Sequence, residues 1–112
     1  MKSEGQIQSQ AHEKRLAKAI GGKTTAASGA FWSRKGDVRS DDLLVEHKWT
    51  GKKQFTLTAT VLEKIVTEAI LDGRTPVLGI SLNNRNYVIL EEDDFLDLRR
   101  AAQETKNGVP PG

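Results

Sequence analysis

The chain has 112 residues, 37% hydrophobic and 29% charged, with no cysteine and two histidines. This fits one folded domain with one core, and it excludes disulfide staples, thiol nucleophiles, cysteine-based zinc sites and histidine-rich metal sites. No apolar run approaches the roughly eighteen residues that span a bilayer, and no apolar segment of the kind a secretion signal needs follows Met1-Lys2-Ser3-Glu4-Gly5-Gln6, so a cytoplasmic protein with no membrane partner is expected.

The net charge of +2 is unevenly spread. Residues 1–56 carry eleven Lys/Arg against six Asp/Glu, and residues 57–112 carry six against nine. A basic half beside an acidic half suits a surface that faces a polyanion, although scattered surface charge gives the same count.

In chain order, residues 6–20 read as a helix, with Leu16, Ala17 and Ile20 on one stripe and Gly21-Gly22 as its stop. Residues 23–35 are small and polar apart from Phe31 and Trp32, which predicts a loop. Asp37-Val38 predicts a short strand, residues 39–42 a turn and residues 43–49 a second strand, with a basic loop over 50–53. Residues 60–71 read as a helix buried through Leu62, Ile65, Val66 and Ala69 and closed by Asp72-Gly73. Residues 76–82 are nearly all apolar, as in a strand buried on both faces. Asn83-Asn84 suits a tight hairpin returning over 87–90. Asp93 or Asp94 caps a last helix with Phe95, Leu98 and Ala102 facing inward, and residues 108–112 fray. The predicted order is α-β-β-α-β-β-α, a single α/β domain over 1–107 with a small mixed central sheet flanked by helices.

Strand alternation puts Glu46 and Lys48 on one face and Val45, His47 and Trp49 on the other. An isolated Glu-x-Lys most often forms a plain ion pair, but three features point further. Asp37 lies nine residues before Glu46 across a turn, so that folding back brings the two acids together. Asp42 has the right parity but lies roughly 13 Å along the strand, too far for both to touch one magnesium ion. Glu13 falls on the apolar stripe of the first helix, where an inward acid wants a partner. Finally, Lys23, Arg34, Lys35, Arg39, Lys52 and Lys53 surround these acids, and Lys64 adds a further cation on the next helix. A cation site ringed by bases suits a phosphodiester substrate. Ser28 could contact a phosphate; neither it nor Ser40 has a His/Asp set beside it, and Gly21-Gly22-Lys23-Thr24-Thr25 lacks the first glycine and the strand of a P-loop.

Gly36-Asp37-Val38 followed by Val45-Glu46-His47-Lys48 resembles the PD-(D/E)xK nuclease signature, with Gly36-Asp37 in place of Pro-Asp. With the Glu13 helix and the Ser28-Gly29 loop, residues 10–92 are similar to the small Holliday junction resolvases of archaea and phages. The resemblance implies a restriction-endonuclease-like fold and a homodimer encoded by a phage or mobile element and acting in the host cytoplasm. Each protomer would cut one strand of branched or duplex DNA with Mg2+, for which Mn2+ can substitute. It implies Asp37, Glu46 and the His47 backbone carbonyl as metal ligands, Glu13 as an accessory acid and Lys48 as the residue that serves the attacking water. The contacts to DNA would come from Lys23, Ser28, Arg34, Lys35, Arg39, Lys52, Lys53 and Lys64. The rival expectations are a nuclease of the same fold acting on flaps, nicks or specific duplex sites, and a DNA-binding protein that does not cut.

Overall fold

The computed structural model describes residues 3–24 and 37–106. Its elements are α1 (Glu4–Ile20), β1 (Lys23–Thr24), β2 (Asp37–Arg39), β3 (Leu43–Trp49), α2 (Ala59–Leu71), β4 (Thr75–Leu82), β5 (Arg85–Ile89) and α3 (Glu92–Lys106). The strands form one sheet in the order β1-β2-β3-β4-β5. Only β3 and β4 are parallel, joined by the crossover helix α2, and every other neighbouring pair is antiparallel. The α/β class and the mixed sheet agree with expectation.

The element order gains one strand. Lys23-Thr24, expected to open a loop, pairs with β2, Lys23 opposite Arg39 and Thr24 opposite Val38. Gly21 takes a positive φ of 69°, which reverses the chain at the end of α1, and the Gly22 N–H donates to the Ala17 carbonyl at 2.8 Å. A Cβ on Gly22 would collide with the Arg39 carbonyl, so glycine alone lets the chain run this close to β2.

Helix α2 starts where the Thr58 side chain accepts a hydrogen bond from the Val61 N–H. It ends at Leu71; Gly73, just beyond, takes a φ of 68°, with the Arg74 N–H donating to Ala69 O at 2.8 Å and the Gly73 N–H to Ile70 O at 3.1 Å. These two bonds satisfy carbonyls that the helix end would otherwise leave open. The expected β4–β5 turn is present, with Asn83 and Asn84 at φ 50° and 59°.

Residue parity divides the core between the two faces of the sheet. Ala17 of α1 packs on Val38, Val45 and Val77, with Leu16 and Ile20 beside it. On the other face Ile65 of α2 packs on Leu78 and Ile80. Each such aliphatic side chain contributes about 1.5–3 kcal/mol by leaving water. Strand β4 is buried on both faces, as expected, and lies between β3 and β5, so it has no free edge. Asp72 ties the far end of α2 to β2. Its Oδ2 accepts from Arg39 Nε at 2.9 Å and from Arg74 Nη1 at 2.7 Å, and Arg74 Nε donates to Ser40 O at 2.7 Å.

The last helix departs from expectation. Phe95, Leu98 and Ala102 were expected to face inward, but no residue of α3 is buried, and Phe95 and Leu98 are 51% and 45% exposed. The connection from Ile89 to Glu92 is two residues long, and α3 leaves the sheet without packing extensively on any described element.

Candidate active site

Strand β3 is flanked by β2 and β4, and its register sets the site. Asp37 pairs with Glu46, Val38 with Val45 and Arg39 with Leu44. The register thus places Asp37 directly opposite Glu46, as the nine-residue spacing predicts. Among the described residues this is the last paired position of β2 with β3.

Glu46 and Lys48 share the α2 face, with Lys48 Nζ 3.2 Å from Glu46 Oε1. Leu44 on the same face is buried, as is Leu78, which pairs with Glu46 across the parallel ladder. The carboxylate therefore sits at the edge of an apolar floor, where a charge is costly unless it is paired. The Glu46 side chain is 11% exposed and that of Lys48 42%, so the ammonium lies between the acid and solvent.

Glu13 is buried, in line with an inward acid. Its stripe, shared with Leu16, Ala17 and Ile20, packs on the face that carries Val38 and Val45, whereas Glu46 and Lys48 project from the other face. Glu13 is thus carried by the opposite layer.

Lys52 and Lys53 are exposed in the loop that follows β3, and Lys23 is exposed on β1. Lys64 is exposed on α2. Arg39 is held by Asp72, as described above. The hydrogen bond from Arg39, with the charges of Arg74 and Arg39, keeps Asp72 below the usual carboxylate range. Asp42 is a turn residue, as expected: its carboxylate accepts from the Ser40 hydroxyl at 2.9 Å, while Ser40 Oγ accepts from the Leu43 N–H at 3.0 Å. Ser28, Arg34 and Lys35, with Trp32 and Gly36, lie outside the described residues.

Behind Glu46, on the α1 face, lies a polar network that the sequence does not announce. The His47 ring stacks on His12 of α1, with centroids 5.1 Å apart and planes at 23°. Ser81 donates its hydroxyl hydrogen to Asn86 Oδ1 at 2.5 Å, so the His47 Nε2–H is the donor in the 3.0 Å bond to Ser81 Oγ. Nδ1 then carries the lone pair, and it is buried without a hydrogen-bond partner. Burial, with the charges of His12 and Arg15, pushes the His47 imidazole down to about 4, so the ring is neutral at pH 7. His47 is thus a packed residue, as its parity suggests. Gly79 makes room for it, since a Cβ there would lie 3.1 Å from His47 Cδ2. The glycine inside the apolar strand was the signal that could have located this network.

Among the described residues no group of three or more His, Asp or Glu side chains is arranged to hold a metal ion. The donor set at the Glu46 position is nonetheless of the right chemistry. Two carboxylate residues at opposed register positions are hard oxygen donors suited to Mg2+ or Mn2+. Comparison with family models, curated proteins and solved structures returned no match. Among the described residues no helix is long and apolar enough to cross a membrane.

Proposed function

We propose that this protein is a metal-dependent, structure-selective DNA endonuclease that resolves four-way junctions as a homodimer. One observation carries the reading: Asp37 is in register with Glu46, and Lys48 is paired with Glu46 on the same face. Opposed positions of an antiparallel pair lie about 5 Å apart, close enough for two carboxylates to share one divalent ion. Asp37 and Glu46 would hold Mg2+ or Mn2+, with the backbone carbonyl of the next residue, His47, as a further oxygen donor.

When bound, the ion supplies an acidified water and neutralises charge on the scissile phosphate. Lys48 keeps its ammonium at the solvent edge of the carboxylate, where it orients the water and donates to phosphate oxygens as their charge grows. The His47–Ser81 hydrogen bond, buried behind β3 and continued to Asn86 on β5, holds the back of β3 still, which keeps Glu46 and Lys48 in place. Lys52 and Lys53, exposed in the adjoining loop, draw the DNA backbone toward the site.

The test is a panel of labelled four-way junction, flap, nicked and linear duplexes incubated with Mg2+ or with EDTA. Cleavage of the junction in Mg2+ alone is the expected result. Cutting of flaps or nicks instead would transfer the reading to another nuclease of this architecture. Binding without cleavage of any substrate would contradict the enzyme reading.

A further inference from the structure

Among the described residues, two apolar surfaces have no cover within one protomer. The first is the stripe of α3, where Phe95, Leu98, Arg99 and Ala102 fall at i, i+3, i+4 and i+7. All four are exposed. The second is a cavity of about 500 Å³ between α2, β4 and the end of β5. Leu62, Val66, Ile89 and Leu90 line it, and Glu63 and Glu91 supply its acidic groups.

We propose that α3 of each protomer seats in the α2–β4–β5 groove of a second copy, so that two chains exchange their last helices about a two-fold axis. The surfaces match in kind: an apolar stripe containing one arginine meets an apolar groove containing two glutamates. A 15-residue helix is about 22 Å long and about 10 Å wide. A double exchange covers two patches on each protomer, the helix stripe and the groove. The donor and the acceptor belong to one sequence, which is what a closed two-fold pairing needs. The two-residue connection sends each helix away from its own sheet at the mouth of the groove, since Leu90 and Glu91 both line it. The inference rests on the homodimer of the proposed function, and a dimer that survives Leu98→Glu would overturn the helix exchange while leaving that homodimer standing.

The experiment is sedimentation velocity on the full chain across the micromolar range, without DNA or metal. Wild type should sediment at twice the 12.3 kDa chain mass. Leu98→Glu on the helix and Val66→Glu in the groove should each give monomers with an unchanged far-ultraviolet circular dichroism spectrum. Leu98 is exposed and Val66 half-buried, which keeps both changes outside the core. Mixed together, the two variants should form a heterodimer where neither dimerises alone, because one intact helix and one intact groove remain. A monomeric wild type would mean that the helix closes on its own groove or takes another partner, and either overturns the proposal. A Leu98→Glu dimer as tight as wild type overturns it as well.

Discussion

Lys48 Nζ stands 3.2 Å from Glu46 Oε1, the base half exposed and the acid nearly buried on the same face of β3. A pair exposed on both sides would be worth little. Here one partner is fixed against Leu78 and the other reaches toward solvent, which suits a group that meets a substrate from one side. If Lys48 serves the water and the phosphate, the planar fork of arginine cannot replace its compact ammonium. Lys48→Arg and Lys48→Ala should both lose most of the single-turnover cleavage rate, with junction affinity little changed. Lys52→Ala and Lys53→Ala should instead weaken binding and flatten its salt dependence while leaving the cutting of bound DNA intact. A Lys48→Arg protein that cuts at the wild-type rate would reduce Lys48 to a phosphate contact.

Gly79→Ala should destabilise the protein by about 1–2 kcal/mol, read as a lower urea midpoint. The new methyl would lie 3.1 Å from His47 Cδ2. The ring cannot give way, because Ser81 holds its Nε2 and His12 stacks on its face. Replacing a strand glycine otherwise gains stability by restricting the unfolded chain, so an unchanged or raised midpoint would show that the ring is not pinned.

The legible parts of the fold were those fixed by local chemistry. Gly73 after an apolar helical stripe, Asn83-Asn84 between two strands and the unbroken run of β4 each specify their element with little help from elsewhere. Glu46 and Lys48 could be placed on one face because strand parity does not depend on the rest of the molecule, and the Asp37 register followed from one short turn. The failures share a different cause. Lys23-Thr24 became a strand because Gly22 can approach the Arg39 carbonyl, a contact between distant parts of the chain. Phe95 and Leu98 have the spacing of a buried stripe, but periodicity cannot say whether the surface that covers it belongs to the same molecule. Glu13 obeyed its stripe; which layer the stripe packs against is a property of topology.

The metal-free protein should lose stability with acid in a window set by His47. Its folded pKa is depressed from 6.5 to about 4, so the unfolded chain binds the proton more readily. Stability from this group is therefore complete above about pH 6.5 and is lost progressively as the pH falls toward 4, by on the order of 2–3 kcal/mol. His12, also lowered by burial and by Arg15, adds to the slope in the same direction. Urea midpoints measured across this range should fall steeply for wild type and less steeply for His47→Gln. Equal slopes would mean that the ring is not held neutral.

Arg39→Ala should act on stability more than on DNA. Its guanidinium joins β2 to the C-terminal end of α2 through Asp72, which also receives Arg74. Asp72 is about one-third exposed, so the loss should be about 1 kcal/mol or less. The salt slope of junction binding, by fluorescence anisotropy, should match wild type. A slope reduced by about one would make Arg39 a phosphate contact instead.

The catalytic claim stands most directly on Glu46→Gln, a change that keeps the shape of the side chain and removes its charge. The measurement is single-turnover cleavage of a four-way junction in Mg2+ at saturating protein, with binding followed in parallel by anisotropy. Glu46→Gln should bind the junction as tightly as wild type or more tightly, because a negative charge near the phosphate is gone, and should cut at no detectable rate. Cleavage by Glu46→Gln at a rate near that of wild type would contradict the catalytic claim.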